Sequence, residues 1–214
     1  MKLVSAIMPT RGRPEMAQQA LECFLAQTYP HKELIIADDS DDPSFPGGLE
    51  QEGVHYLRAN ERFTIPVKRN KCCQYAKGSI ICHWDSDDWS APERMADQVA
   101  RLERCSKMVT GYHSILFYEP ETGRIGKYVG YPMYAVGTSL AYTRWFWSEH
   151  AFNEGLIVRE DNHFVTAAMD CQQIVNVDAD QLMVARVHAG NTDPKSMDRF
   201  EVVSQDMLPK GFPR

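Results

Sequence analysis

The stretch that decides the fold is Ile80-Ile81-Cys82-His83-Trp84-Asp85-Ser86-Asp87-Asp88-Trp89. A short apolar run followed by three carboxylates within four residues predicts a buried strand that ends in an acidic loop. Carboxylates this close repel one another, so the loop needs solvent or a bound cation. In extended backbone Asp85 and Asp87 point to the same side, and their hard oxygens suit Mn²⁺ or Mg²⁺. The simpler alternative is a solvated acidic turn in which Asp88 or Ser90 caps the next helix.

The composition is that of an ordinary globular domain, since 43% of the 214 residues are hydrophobic and 24% are charged. A net charge of −6 argues against general nucleic-acid binding, which needs a basic surface. No run reaches the roughly 18 apolar residues of a membrane span, so we expect no transmembrane segment. The apolar start at 3–8 is too short for an export signal, and the six cysteines lack Cys-x-x-Cys spacing. We therefore expect a cytoplasmic protein.

Strand and helix patterns alternate through the first hundred residues. Continuous apolar runs predict strands at 3–8, 34–37, 54–57 and from Ile80. Apolar residues predict helices from Pro14, where they stand at helical spacing, and from about Met95, with Ser90-Ala91-Pro92-Glu93 as a capping box. A further helix is predicted at 66–76, with Gly78 placed to end it. This order is typical of an α/β fold with a mostly parallel central sheet flanked by helices. Ligands of such folds bind beyond the carboxyl ends of the strands.

Nine short motifs stand in order along residues 3–192. They are Val4-Ser5-Ala6-Ile7-Met8-Pro9-Thr10, Ala26-Gln27-Thr28-Tyr29-Pro30, Glu33-Leu34-Ile35-Ile36-Ala37-Asp38-Asp39-Ser40, Arg69-Asn70, Ala76-Lys77-Gly78, Trp84-Asp85-Ser86-Asp87-Asp88-Trp89, Gly137-Thr138-Ser139, Glu160-Asp161 and Arg186-Val187-His188-Ala189-Gly190-Asn191. Each motif is weak by itself, but the ordered set resembles family 2 glycosyltransferases of the GT-A fold, a Rossmann-like nucleotide-binding fold. The resemblance implies a nucleotide-diphosphate sugar donor, uridine-linked, and a glycan or other hydroxyl-bearing acceptor. It also implies Mn²⁺ or Mg²⁺ as cofactor and usually inversion at the anomeric carbon.

The resemblance assigns roles to single residues. It implies that Asp161 is the catalytic base and that Asp87 binds the metal directly. Asp85 would lie nearer the ribose or diphosphate while sharing in the metal site, and His188 would complete the metal's ligands. The residues that would hold the donor are Pro9, Thr10, Arg11, Asp39, Arg69, Asp85 and Ser86. The chemistry is consistent, because a cation stabilises the leaving diphosphate and a separate carboxylate deprotonates the acceptor.

Several of these residues also have simpler interpretations. Asp39 lies in an acidic run of the kind that often forms a solvated turn. Asp161 could be an acidic residue favoured by the dipole at a helix start, and His188 a hydrogen-bonded strand residue. Arg69 could be a surface helix charge. Arg11 stands where many relatives carry an aromatic residue, so stacking on the base would have to come from its guanidinium.

We expect one domain over residues 1–192, followed by a loose or docked tail at 193–214. Residues 1–105 would form the donor half, and 106–192 an acceptor-binding and catalytic half with a smaller β region, including strands at 108–110 and 115–118. Two other functions stay open. A non-catalytic nucleotide- or sugar-binding module would need no base. A sugar nucleotidyltransferase would need a glycine-rich phosphate loop after the first strand, where the chain has only Gly12.

Overall fold

The computed structural model describes residues 1–179 and 181–213, which form eleven strands of one sheet. The strands are β1 (Val4–Thr10), β2 (Lys32–Asp38), β3 (Val54–Arg58), β4 (Ile80–His83), β5 (Trp89–Ser90), β6 (Val109–Glu119), β7 (Arg124–Val129), β8 (Ala141–Thr143), β9 (Ile174–Asp178), β10 (Met183–Arg186) and β11 (Glu201–Val202). The helices are α1 (Pro14–Leu25), α2 (Ile65–Tyr75), α3 (Arg94–Cys105), α4 (Arg144–Glu149) and α5 (Glu160–Asp170). Single 3₁₀ turns cover Gly137–Ser139, Met197–Arg199 and Gln205–Met207. No helix in the described part of the chain is long and apolar enough to cross a membrane.

Four parallel strands in the order β4-β1-β2-β3 form the first half of the sheet, as the sequence predicts. Both faces of β1 are covered, because successive side chains point to opposite sides of a strand. Ala6 and Met8 pack in one core with α1 and α3, while Ile7 packs in another with α2, α4 and α5. Since the strands are parallel, their carboxyl ends meet at one edge, where the polar loops follow.

The second half is organised around β6, which pairs in parallel with β9 and β10 and antiparallel with β7 and β8. The prediction of two separate strands at 108–110 and 115–118 was wrong, because β6 runs continuously from Val109 to Glu119. A register shift between Tyr112 and Ser114 breaks the alternation from which the sequence pattern is read. Gly111 is also required inside the strand, because a Cβ there would lie 2.6 Å from the Ala135 Cβ.

The start of α3 differs from the capping box that the sequence predicts. Ser90 lies in β5, and its hydroxyl accepts a hydrogen bond from Arg94 Nη1 at 2.9 Å. The N-cap residue Glu93 makes no side-chain capping bond. The buried arginine therefore takes the hydroxyl that the capping box would have used.

The tail after residue 192 is docked onto the rest of the protein. Its strand β11 pairs antiparallel with β7 at the edge of the sheet. The Phe200 ring stacks on Phe117 with centroids 4.3 Å apart. Further along, Phe212 packs edge-on against Trp89 and Tyr118. Burial of these aromatic rings attaches the tail to the strands beneath it.

Candidate active site

Most of the expected site residues line one cavity of about 790 Å³ at the edge where the loops after β1, β4 and β10 meet. These residues are Pro9, Thr10, Arg11, Arg69, Asp85, Ser86, Asp87 and Asp161. His188 contacts the carboxylate of Asp87, whereas Asp39 lines a neighbouring cavity of about 570 Å³. The fold thus brings the separate motifs to one side of the sheet.

Asp87 and His188 form the part of the site that could hold a divalent cation. Asp87 Oδ2 lies 3.0 Å from His188 Nε2. Neighbouring ligands of an octahedral ion with bonds of about 2.1 Å are about 3 Å apart, so this spacing fits a small divalent ion. Within residues 1–179 and 181–213 there is no group of three or more His, Cys, Asp or Glu side chains that could hold a metal. Further ligands would therefore have to come from water or from a bound molecule.

The same oxygen of Asp87 also accepts hydrogen bonds from two residues to which the sequence analysis assigned no role. One is Arg13 Nη1, and the other is Asn191 Nδ2 at 3.4 Å. Arg13 also donates to the Gly190 carbonyl at 2.7 Å. Asn191 Oδ1 accepts from the His188 backbone N–H at 2.8 Å and so fixes the turn that carries the imidazole. Arg13 thereby joins the loop after β1 to the acidic loop and to this turn.

Asp88 holds the acidic loop in place and does not cap a helix. Its Oδ1 accepts from the Arg186 backbone N–H at 3.0 Å, and its Oδ2 accepts from the Thr138 hydroxyl. Burial and the neighbouring carboxylates of Asp87 and Asp85 raise the pKa of Asp88 to about 7. Asp88 therefore attaches the loop to β10 and to the 3₁₀ turn at 137–139.

Arg69 lies between two carboxylates in the wall of the cavity. Its side chain is 6% exposed, which excludes the surface-charge interpretation. It pairs with Glu160, and its Nη2 lies 3.4 Å from Asp85 Oδ1. Burial acts to raise the pKa of Asp85. The Arg69 guanidinium, together with His83, Arg94 and the Thr138 hydroxyl, outweighs burial and holds that pKa below its usual value. Asp85 is therefore kept ionised beside the cavity.

Asp161 lies at the start of α5, and its carboxylate packs against the backbone of Gly137. A Cβ on Gly137 would lie within 1.8 Å of Asp161 Oδ2, so only glycine leaves room for this side chain. The Gly137 carbonyl is held by His83 Nδ1 at 2.7 Å. Burial lowers the pKa of His83, so the ring is neutral and its Nδ1–H can donate to this carbonyl. The motif Gly137-Thr138-Ser139 therefore supplies the space that Asp161 occupies.

Asp39 is almost fully buried and does not form the solvated turn that its acidic neighbours suggested. Its Oδ1 accepts from Lys68 Nζ at 2.8 Å, and its Oδ2 accepts from the Phe63 backbone N–H at 2.8 Å. Lys68 also donates to the Thr10 carbonyl at 3.1 Å and lines both cavities. Nothing in the sequence pointed to Lys68, because a lysine in a helix is normally exposed.

The docked tail completes the cavity. Lys195, Arg199 and Phe200 line it together with Tyr128 on β7. Of the two alternatives predicted for the tail, loose or docked, the structure shows a docked tail that forms part of the wall of the cavity.

Residues 5–150 match the sequence family described as glycosyl transferase family 2. The chain belongs to this family. The matched part of this family 2 chain contains the acidic loop and Gly137, whereas Asp161 and His188 lie beyond it.

Two curated relatives cover part of this family 2 chain. TuaG of Bacillus subtilis (strain 168), whose name assigns it to teichuronic acid biosynthesis, is 31% identical over 117 residues, 51% of this chain and 46% of TuaG. WfaP of Escherichia coli is named a UDP-Glc:alpha-D-GlcNAc-diphosphoundecaprenol beta-1,3-glucosyltransferase. It is 26% identical over 145 residues, 66% of this chain and 57% of WfaP. The chain thus spans about half the length of the curated relatives it matches.

A crystal structure of residues 1–349 of S. aureus TarS in complex with UDP-GlcNAc has the same fold. The TM-score is 0.68 at 18% sequence identity, covering 89% of this chain and 60% of that one. The expected α/β architecture of the GT-A type is confirmed.

Proposed function

We propose that this chain is a metal-dependent glycosyltransferase that moves a sugar from a nucleotide-diphosphate sugar, uridine-linked, to an acceptor hydroxyl with inversion. The observation that carries this proposal is that one cavity of a family 2 chain is lined by Asp87, whose carboxylate contacts His188, and by a separate carboxylate, Asp161. An inverting transfer needs these two functions on different groups, because one stabilises the leaving diphosphate and the other accepts a proton.

The donor base is proposed to lie near Asp39 and Lys68. A carboxylate beside an ammonium complements the uracil edge, which presents an N–H donor next to a carbonyl acceptor. The buried Thr10 hydroxyl has no partner among the described residues and lines the main cavity, so it is free to bind the ribose or base. WfaP is named for a UDP-sugar, and TarS was crystallised with UDP-GlcNAc, which supports uridine as the base.

The metal is proposed to be Mn²⁺ or Mg²⁺ held by Asp87 and His188. When bound, it supplies positive charge against the departing diphosphate. Asp85 and Ser86 would lie beside the same diphosphate, with Arg69 keeping Asp85 ionised. Arg11, which also lines the cavity, would contribute its guanidinium to the base or the phosphates.

The acceptor is proposed to be a glycan or another hydroxyl-bearing molecule that enters beside Asp161. Ile157 and Val158 expose 72% and 41% of their surfaces while lining the same cavity. Apolar side chains there can pack against the carbon faces of a sugar ring. Residues 1–105 would then supply the donor half of the site, and residues 106–192 the acceptor half.

The first test is thermal unfolding with UDP, GDP, CDP, ADP and TDP, each with and without Mn²⁺. A ligand at 100 times its Kd stabilises the native state by about 2.7 kcal/mol, or roughly 5–10 °C for a chain of this size. We expect this shift with UDP and Mn²⁺ together. No shift with any of these nucleotides would refute the donor assignment.

Two variants separate the metal ligand from the base. Asp87→Ala is expected to abolish the Mn²⁺-dependent shift, because the shared oxygen is lost. Asp161→Asn is expected to keep the shift and to lower sugar transfer by about 10²–10⁴-fold. Asp193→Asn is the matched control, since this exposed carboxylate lines the same cavity and has no proposed role.

The outcomes also discriminate between the other functions. Transfer at the wild-type rate in Asp161→Asn would refute the base assignment. UDP binding without turnover across a broad acceptor panel would favour a binding module. Turnover of a nucleoside triphosphate with a sugar phosphate would favour a nucleotidyltransferase.

A further inference from the structure

Arg13 is a cationic side chain that contacts the carboxylate of the proposed metal ligand Asp87, whereas Arg186 donates to the Asp87 backbone carbonyl. Arg13 extends from the loop after β1 to Asp87 Oδ2 in the acidic loop and donates to the Gly190 carbonyl at 2.7 Å. Its side chain is 20% exposed and that of Asp87 is 12% exposed. A charge-assisted hydrogen bond at such partly buried groups is stronger than a surface ion pair.

The oxygen that Arg13 occupies is the one that a shared cation would need. Asp87 Oδ2 is the atom 3.0 Å from His188 Nε2, so an ion bound by both residues would be a ligand of that oxygen. Asn191 Nδ2 already lies 3.4 Å from the same atom. One carboxylate oxygen has about two lone-pair sites, so a guanidinium and a metal ion compete for it.

We propose that Arg13 is the counter-ion of Asp87 before ligands bind and moves to the donor's diphosphate when the metal binds. This inference rests on the proposed metal-dependent function. Arg13 lines the same cavity as Asp85 and Asp87, and its planar guanidinium matches the spacing of phosphate oxygens. Before a nucleotide binds, a metal ion that displaces Arg13 from Asp87 breaks this ion pair and leaves Arg13 without a replacement partner. With a diphosphate present, the guanidinium has a second partner.

The consequence is that Arg13 makes the binding of the metal and the binding of the nucleotide cooperative. Each ligand strengthens the other by the same factor, as linkage requires. Arg13 is in this sense a positioning residue for the donor and the metal. Arg11 and Arg199 also line the cavity but make no hydrogen bond to the acidic loop among the described residues.

The test is a titration of Mn²⁺ into the purified chain, with free Mn²⁺ followed by electron paramagnetic resonance, in the absence and presence of UDP. Arg13→Gln is expected to bind Mn²⁺ alone about tenfold more tightly than the wild type, because Asp87 no longer loses a charge-assisted bond. The factor by which UDP tightens Mn²⁺ binding is expected to fall by about tenfold in the same variant. Arg199→Gln, which removes the same charge from the same cavity, is expected to match the wild type.

Arg13→Lys keeps the charge but loses the planar guanidinium. Its affinity for Mn²⁺, and the factor by which UDP tightens Mn²⁺ binding, are expected to lie between those of the wild type and Arg13→Gln. If circular dichroism shows that Arg13→Gln does not fold, Arg13→Lys replaces it in the test. If the wild type binds Mn²⁺ and the folded Arg13 variants show the same Mn²⁺ affinity and the same enhancement by UDP, this inference is overturned but the proposed metal site is not. No binding of Mn²⁺ to the wild type, with or without UDP, would overturn the proposed metal and this inference with it.

Discussion

Replacing Gly137 by alanine should displace the carboxylate of Asp161 and leave the donor site intact. The added Cβ would lie 1.8 Å from Asp161 Oδ2 and 2.5 Å from its Cγ. Ordinary contacts begin at 3.4 Å, so one group must move by roughly 1.6 Å. The Gly137 backbone is fixed by the 2.7 Å bond from His83 Nδ1, so we expect the carboxylate to move.

The size of the effect follows from this displacement. Misplacing a catalytic group by about 1 Å can lower a rate about 10²-fold, so we expect a loss of that order in sugar transfer or donor hydrolysis. Overpacking should also lower the free energy of unfolding by about 1–3 kcal/mol. The Kd for UDP should be unchanged within about twofold, because Asp39 and Asp87 lie in other loops. The assays are UDP release, calorimetric titration with UDP, and urea unfolding.

A double variant tests whether the effect acts through the base. If Gly137→Ala works only by displacing Asp161, adding it to Asp161→Asn should cause little further loss of rate. A further loss of about 10²-fold in the double variant would refute this reasoning. So would a wild-type rate in Gly137→Ala alone.

Three other perturbations test the packing around the site. Lys68→Met leaves the buried Asp39 carboxylate without its counter-ion, so the free energy of unfolding in urea should fall by about 3–5 kcal/mol. Because burial and nearby carboxylates raise the pKa of Asp88 to about 7, the folded state binds a proton there that the unfolded chain releases near pH 4. Stability should therefore fall as pH rises from about 4 to 7, by up to about 1.4 kcal/mol per unit, and Asp88→Asn should flatten this slope. Phe200→Ala removes the ring stacked on Phe117, so proteolysis of the tail should accelerate several-fold while the rest of the chain stays folded.

Each of these expectations has a clear contrary result. The Lys68 effect should be largely recovered when Asp39→Asn is added, and no recovery would mean that the ion pair is not its cause. If the free energy of unfolding falls with pH equally steeply in Asp88→Asn and in the wild type, the proton that the folded state binds is not on Asp88. Unchanged tail cleavage in Phe200→Ala would show that β11 pairing alone attaches the tail.

The sequence was sufficient for the parallel half of the sheet and for the edge where the site lies. Continuous apolar runs such as 34–37 report burial on both faces, and that signal depends only on neighbouring residues. The acidic loop could also be predicted from the sequence. Carboxylates two residues apart at a strand end repel one another, so they indicate a bound cation or exposure to solvent. The break in alternation at Tyr112 hid the continuity of β6, since a bulge changes which side chains face the core.

The partners of the site residues could not be read from the sequence. Lys68, Arg13 and Arg69 are arginines or lysines in or beside helices, where exposure is the usual outcome. Each becomes buried or half-buried only because a carboxylate from a distant loop lies within reach, as Asp39 does for Lys68. Such pairings follow from the assembled fold and leave no local pattern.

The hydrogen bonds of Arg13 also bear on when the site forms as the chain folds. They join residues that are 74 and 177 positions apart, and contacts so remote in sequence form only after the intervening loops have closed. During synthesis, a nascent chain that has not yet released residue 190 cannot make the second of them. Closure of the turn that carries His188 against Arg13 would therefore be a late step of folding, after the parallel strands have assembled.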